Sequence, residues 1–444
     1  MKKTYIFLFI IFMFIISCGN KITGPSENID GITYYDLSHA ETKEYPFLKS
    51  DVITGAWIDA KSTFNKVAES QNAIIYLEKG YNKMTRDTIM SFVKQFEEYY
   101  SKEVEIYGNP SDLDLNGKII FLMGNLNTNQ TKEKPGIGGY FYGSDLTRGK
   151  GGVKGEYLHV DPSVANEDYI LGVMMHELQH LINFNVNYFN TGKEMDVWLD
   201  EGLAESTSHI FSKEISDSRL KSLDKVPYYS FYSWYFKYPI DGSDANIFGT
   251  PMDFASYGPA SMFMKWLDIK TGGNQEIYKK IAHSSHIKDG EQRVIQCAQE
   301  LNPSLGTDMN TLLIDWIKGI NNGEVPGLSI KNFASTSDNY YNLFLKNGKT
   351  LLLPKALIIC TAEDANKIND TKIIKEDLKN GNYIVLNTSQ NQYAGYSAES
   401  DIVSISLTKA AVPNSRYNNI TESTIFKDNY FIDRVITEKD IIKK

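Results

Sequence analysis

Residues 169 to 184 read Tyr169-Ile170-Leu171-Gly172-Val173-Met174-Met175-His176-Glu177-Leu178-Gln179-His180-Leu181-Ile182-Asn183-Phe184. So apolar a stretch predicts a buried helix and supplies a water-poor wall. On that helix His176 and His180, at i and i+4, lie on one face one turn apart, so both imidazoles can aim a nitrogen at a single cation. Glu177 lies about 100° round the same helix by the 3.6-residue period, within reach of a water on the cation but not of the cation itself. That is a general base's position. The alternative, two core histidines satisfied by backbone partners, leaves unexplained why an apolar helix gathers three polar residues on one side, since burying them unpaired is costly.

A catalytic zinc takes three protein ligands and keeps one position open. A second helical run, predicted over 197 to 211, contains Trp198-Leu199-Asp200-Glu201-Gly202-Leu203-Ala204-Glu205. Glu201 is the expected third ligand. Glu205 follows at i+4 and faces the same way, so it can accept the free ring N–H of a zinc histidine and fix its tautomer. The reverse assignment, with Glu205 on the metal, stays open.

Together, His176-Glu177-x-x-His180 and Trp198-Leu199-x-Glu201-Gly202-x-Ala204-Glu205 resemble the gluzincin metallopeptidases. The wording Glu177-Leu178-Gln179-His180-Leu181-Ile182-Asn183-Phe184 is most similar to the hyicolysin-like branch of bacterial secreted or lipid-anchored proteases. The resemblance covers about residues 70 to 320. It implies an α+β, two-lobed peptidase domain (a mixed-sheet lobe and a helical lobe), protein or peptide substrates, and Zn²⁺ held by His176, His180 and Glu201. In the aminopeptidase branch a tyrosine at the start of a later helix stabilises the oxyanion, and Ser256-Tyr257-Gly258-Pro259-Ala260-Ser261-Met262-Phe263 matches that segment. Tyr257 is therefore implied as a catalytic residue beside Glu177; an ordinary aromatic at a helix start is the competing reading. The Gly-x-Met-Glu-Asn signature of aminopeptidases is absent, which favours an endopeptidase, although Glu156 on the upstream strand could serve as an amine anchor. A surface lipoprotein that uses a peptidase scaffold for binding is the rival outside enzymes.

At the start, Met1-Lys2-Lys3 precedes an apolar run ending Ile15-Ile16-Ser17-Cys18. A basic start, an apolar core and a small residue before cysteine make a secretory signal of the lipoprotein type, not a span, because polar residues follow at once. Cys18 is expected to be lipidated, anchoring the protein to a membrane of the cell envelope; a plain signal peptide with an incidental Cys18 is the alternative. Loss of residues 1 to 17 leaves 44 basic against 55 acidic side chains, a net charge of −11. With no basic stripe to follow phosphates, nucleic acid is excluded as a partner, and a monomer is expected. Cys297 and Cys360 lie far apart in the chain and are expected to be buried free thiols.

Four segments follow from composition and pattern: signal peptide 1–17, tether 18–45, metallopeptidase domain 46–322, and a β-rich accessory domain 323–444, read as a sandwich. Strands are expected at 73–78, 104–107, 118–123, 138–143 and 155–160, with a helix from Thr85 to Tyr100. Helices at 256–267, 275–282, 291–301 and 308–320 make the helical lobe. Asp112-Leu113-Asp114-Leu115-Asn116-Gly117 matches the first half of a calcium loop, but Met123 stands where its closing glutamate belongs, so an Asx turn is favoured. Tyr157 and His159 share one face of the strand before the metal helix, read as ordinary sheet surface before substrate binding. The aromatic run from Tyr228 to Tyr238 reads as core packing before subsite walls.

Overall fold

A computed structural model describes residues 26–38, 40–52, 57–130, 136–147, 154–163, 166–225, 257–328, 345–346, 349–352, 354–389, 403–405, 432–433 and 441–442. The fold is mixed α and β. Its organising unit is strand β7 (Ala73–Glu78), helix α1 (Arg86–Tyr107) and strand β8 (Ile119–Met123), but the main sheet begins earlier. Strands β1 (Ser26–Ile29) and β2 (Ile32–Tyr35) form a hairpin about Asp30-Gly31, both with positive φ (53° and 82°). This two-residue turn matches the natural strand twist, and it places a strand pair inside the stretch that composition assigns to a tether. Strand β3 (Thr42–Pro46) follows, then β4 (Lys49–Asp51), β5 (Trp57–Ile58), β6 (Lys61–Glu69) and β7 (Ala73–Glu78).

Residues Ala73 to Leu77 are buried on both faces, as a strand covered from both sides requires. Helix α1 (Arg86–Tyr107) starts at Thr85, whose side chain accepts from Thr88 N, and carries Phe92, Val93 and Phe96 into the core. It runs past its expected end at Tyr100. Val104 to Tyr107 alternates like a strand, yet Glu103, Ile106 and Tyr107 continue the buried helical face, and only Gly108 at φ +112° stops it. Strand β8 (Ile119–Met123) then pairs parallel with β7.

After β9 (Asn127–Thr128) come β10 (Ile137–Phe141), the short helix α2 (Gly143–Thr147) and β11 (Tyr157–Val160). The sheet order is β1-β2-β6-β7-β8-β11-β10, with Ile432–Asp433 beyond β10 and β3 also on β6. β11 lies parallel to β8 and antiparallel to β10. Against this sheet packs α3 (Glu167–Phe184), followed by the π-helical turn Asn185–Phe189, α4 (Val197–Phe211) and α5 (Lys213–Lys225). Helices α6 (Tyr257–Lys270), α7 (Glu276–His283), α8 (Gly290–Leu301) and α9 (Met309–Asn321) follow, and a short helix, Ala362–Lys367, lies further on.

One continuous apolar core joins sheet and helices, and Leu357, Ile359, Ile384 and Leu386 belong to it. Those four come from an antiparallel trio, Leu357–Thr361, Asn382–Asn387 and Ile373–Asp377. A second antiparallel trio is Leu345–Lys346, Lys349–Leu352 and Val403–Ile405. Cys297 and Cys360 are free and buried. Among the described residues no helix is long and apolar enough to cross a membrane.

Candidate active site

Helix α3 is fixed at its start by Asn166, whose side chain accepts from Tyr169 N at 3.1 Å, and Glu167 and Asp168 in the first turn suit the helix dipole. From Tyr169 to Asn183 it is buried throughout. Gly139 of β10 permits this close seating: a Cβ there would lie 2.8 Å from Val173 Cγ1 and 3.3 Å from Glu177 Cγ. The sheet thus presses on the turn that bears Glu177, which is itself fully buried.

His176 Nε2 and His180 Nε2 lie 3.1 Å apart, and each is 3.6 Å from Glu201 Oε2. The three corners of that triangle are each about 2.0 Å from one point, the bond length of zinc to nitrogen or carboxylate oxygen. Two imidazoles and one carboxylate are also a donor set that suits zinc. The residues therefore fit the metal. Burial opposes ionisation of Glu201, but hydrogen bonding with His176 and His180 outweighs it and holds the carboxyl down at about 2. For His180 burial works against the charged ring, while Asp200 and Glu201 prevail and lift it well above its ordinary value.

Each ring meets an acid of α4 through its outer nitrogen. His180 Nδ1 lies 3.1 Å from Asp200 Oδ1, and His176 Nδ1 lies 3.6 Å from Glu205 Oε1. Glu205 thus faces His176 but stands beyond hydrogen-bond length of its ring. Its firm partner is Arg219 of α5, which donates through Nε to Oε2 and through Nη2 to Oε1, both at 2.8 Å. The same guanidinium lies 4.7 Å from the centre of the Tyr257 ring, and that ring is 6.2 Å from His176. Tyr257 opens α6 and is buried beside the group of His176, His180 and Glu201.

Asp200 and Arg219 escape the sequence reading. Asp200 occupies the variable position of the Trp-Leu-x-Glu run; its signal is an acid one residue before Glu201. Arg219 belongs to a helix that no motif marks. Behind Asp200 runs a polar relay: Asn183 Nδ2 donates to Asp200 Oδ1, Asn187 Nδ2 to Asn183 Oδ1, and Arg293 Nη1 to Asn187 Oδ1 at 2.8 Å. Asn187 lies in the π-helical turn, a local irregularity common at functional sites.

Other sequence candidates lie elsewhere. Gly139 faces α3, so its neighbour Tyr140 and the cross-strand partner His159 face away. His159 stacks on Tyr140 at 4.2 Å with its Nε2 2.9 Å from Asp145 Oδ2, and Tyr157 packs on Tyr45 at 5.5 Å. Both are interior to the far side of the sheet. Glu156 Oε1 accepts from Ser111 Oγ at 2.6 Å and Leu113 N at 2.9 Å, which ties its carboxylate to the loop before β8. Cys18, Ser256 and the run Tyr228 to Tyr238 lie outside the described residues.

No family model matches the chain. It is similar to the neutral metalloprotease ShpI of Staphylococcus hyicus, 26% identical over 191 residues, which cover 40% of this chain and 41% of that protein. The chain thus matches less than half the length of that curated relative. The likeness supports a metallopeptidase and no narrower family.

Proposed function

We propose that this protein is a lipid-anchored extracytoplasmic zinc metalloendopeptidase of the gluzincin type, akin to the hyicolysin-like branch. The observation that carries the reading is the Nε2–Nε2–Oε2 triangle of His176, His180 and Glu201, with Glu177 on the same helix. When bound, zinc supplies Lewis acidity, which activates water and polarises a scissile carbonyl. Glu177 accepts a proton from the attacking water at its carboxylate and returns it to the leaving amine nitrogen. The Tyr257 hydroxyl donates to the carbonyl oxygen as negative charge grows there. Apolar residues of α3 keep bulk water from these groups.

Internal cleavage is favoured over aminopeptidase action because the upstream-strand acid Glu156 is engaged by Ser111 and Leu113. Anchoring rests on the sequence before Cys18. A soluble form spanning residues 19 to 444, incubated with a mixed peptide library with and without chelator, tests the reading by mass spectrometry. Chelator-sensitive internal cuts are expected. Removal of single N-terminal residues would instead make it an aminopeptidase, and no cleavage by zinc-loaded protein would refute peptidase function.

A further inference from the structure

Between α1 and β8 the chain reads Ser111-Asp112-Leu113-Asp114-Leu115-Asn116-Gly117. Loops of this kind hold calcium through side chains at positions 1, 3 and 5, with glycine at 6 and a bidentate glutamate at 12. Position 12 is Met123, so along the sequence the loop lacks an acid. In space it does not. Glu156, just before β11, brings a carboxylate oxygen within 4.8 Å of those of Asp112 and Asp114. Gly155 before it has φ +149°, and a Cβ there would lie 3.0 Å from Asp114 Oδ2, so the two segments close directly on one another.

Within the loop Asp112 Oδ1 accepts from Gly117 N, Asp114 Oδ1 from Asn116 N, and Asp114 Oδ2 from Asn116 Nδ2. An Asx turn without an ion would look the same. Glu156 is different. It is 1% exposed, and while Oε1 takes the Ser111 and Leu113 donors, Oε2 is buried with no hydrogen-bond partner. A buried carboxylate oxygen without a donor is costly, and here it adjoins two more acids.

We propose that Asp112, Asp114 and Glu156 together bind one calcium ion, with Glu156 standing in for the missing loop glutamate. Three carboxylates with no histidine or thiolate form a hard oxygen site, unlike the His176, His180 and Glu201 group. The loop immediately precedes β8 and Glu156 immediately precedes β11, and these strands pair in parallel from Ile120 and Tyr157 onward. Parallel neighbours have no short turn to join their starts. The ion supplies that clamp.

The test is calcium titration of the full-length, zinc-loaded chain, with bound calcium counted by equilibrium dialysis. About one ion per chain is expected, with a dissociation constant of roughly 10⁻⁵ to 10⁻³ M. Binding should vanish in Glu156→Gln and Asp114→Asn and persist in His176→Ala. Without calcium, Glu156→Gln should melt at or above wild type, because a buried charge is gone; with calcium it should melt below. Wild type that stays uncharged with calcium up to about 10 mM, binding that survives both carboxylate changes, or binding lost in His176→Ala overturns the proposal. A calcium-free Glu156→Gln that melts below wild type also counts against it. Should that variant fail to fold, Asp112→Asn at the exposed end of the cluster decides, with at least a tenfold loss of affinity expected.

Discussion

Arg219 and Glu205 meet as a two-point pair, each contact 2.8 Å long, with side-chain exposures of 3% and 0%. Neither charge reaches water, so each relies on the other, and the parallel contacts offset much of the desolvation. Glu205 also faces His176, and Arg219 lies against the Tyr257 ring. One buried ion pair therefore couples a metal-side histidine on α3 to the tyrosine of α6.

Removing one half of this pair should cost far more than removing both. Arg219→Met strands a buried carboxylate, and a loss of about 3–5 kcal/mol is expected, whereas Arg219→Met with Glu205→Gln should recover part of it. Arg219→Lys should also be damaging, because an ammonium cannot make both contacts. Urea unfolding of the metal-free variants measures each term. Single variants that cost under about 1 kcal/mol would remove the pair from the structural argument.

Glu177→Gln keeps size and most packing but cannot take a proton. Zinc content should stay near one per chain, while peptide hydrolysis falls by roughly 10²–10⁴-fold. Elemental analysis and turnover on one sample check both halves, and unchanged turnover would take Glu177 out of the mechanism.

The acids of α4 should rank in metal affinity by what they touch. Glu201→Ala should abolish tight zinc binding. Asp200→Asn, beside His180 Nδ1, should weaken it by about 10 to 100-fold, and Glu205→Ala by a similar or smaller factor. Competition with a chromophoric chelator gives the order. A Glu205→Ala protein that holds no zinc while Glu201→Ala binds normally would reverse the ligand assignment.

What the sequence made legible was local. The i, i+4 histidines, Glu201 and the apolar helix around them follow from periodicity, and the structure brings these side chains together at 3.1 and 3.6 Å. The Asp30-Gly31 hairpin was readable too, but polar composition around it pointed to a tether. Val104 to Tyr107 shows where alternation misleads, since one turn of helix and a short strand give the same pattern over four residues. Arg219 and Glu156 act across 14 and about 40 positions of chain, through contacts that only folding creates. No spacing rule reaches them.

Tyr257→Phe keeps the ring that rests on Arg219 and removes the hydroxyl. If that hydroxyl donates to the developing oxyanion, kcat should drop by roughly 10 to 1000-fold with KM little changed and zinc content normal. Steady-state kinetics on an internally cleaved peptide measures this. Wild-type kcat would show that another donor does the work.

His209, in the last turn of α4, gives a pH dependence whose sign is fixed by its surroundings. Its Nε2 lies 2.9 Å from the Ser261 carbonyl oxygen and its Nδ1 2.9 Å from Ser216 Oγ, so a neutral ring with the proton on Nε2 satisfies both nitrogens. Burial, only partly opposed by the Ser261 carbonyl, lowers its pKa from 6.5 to about 4. Between those values the unfolded chain binds more protons than the folded one, so stability is fully present above pH 6.5 and is lost as pH falls toward 4. The integrated loss is about 3 kcal/mol. Replacing the imidazole in His209→Gln should flatten the fall by up to about 1.4 kcal/mol per pH unit, whatever its cost at pH 7. Urea unfolding of both proteins from pH 7 to 4, metal-free so that zinc release adds nothing, reads this difference. Parallel stability curves would mean that the ring takes up its proton as readily in the folded chain as in the unfolded one, so that burial does not lower its pKa.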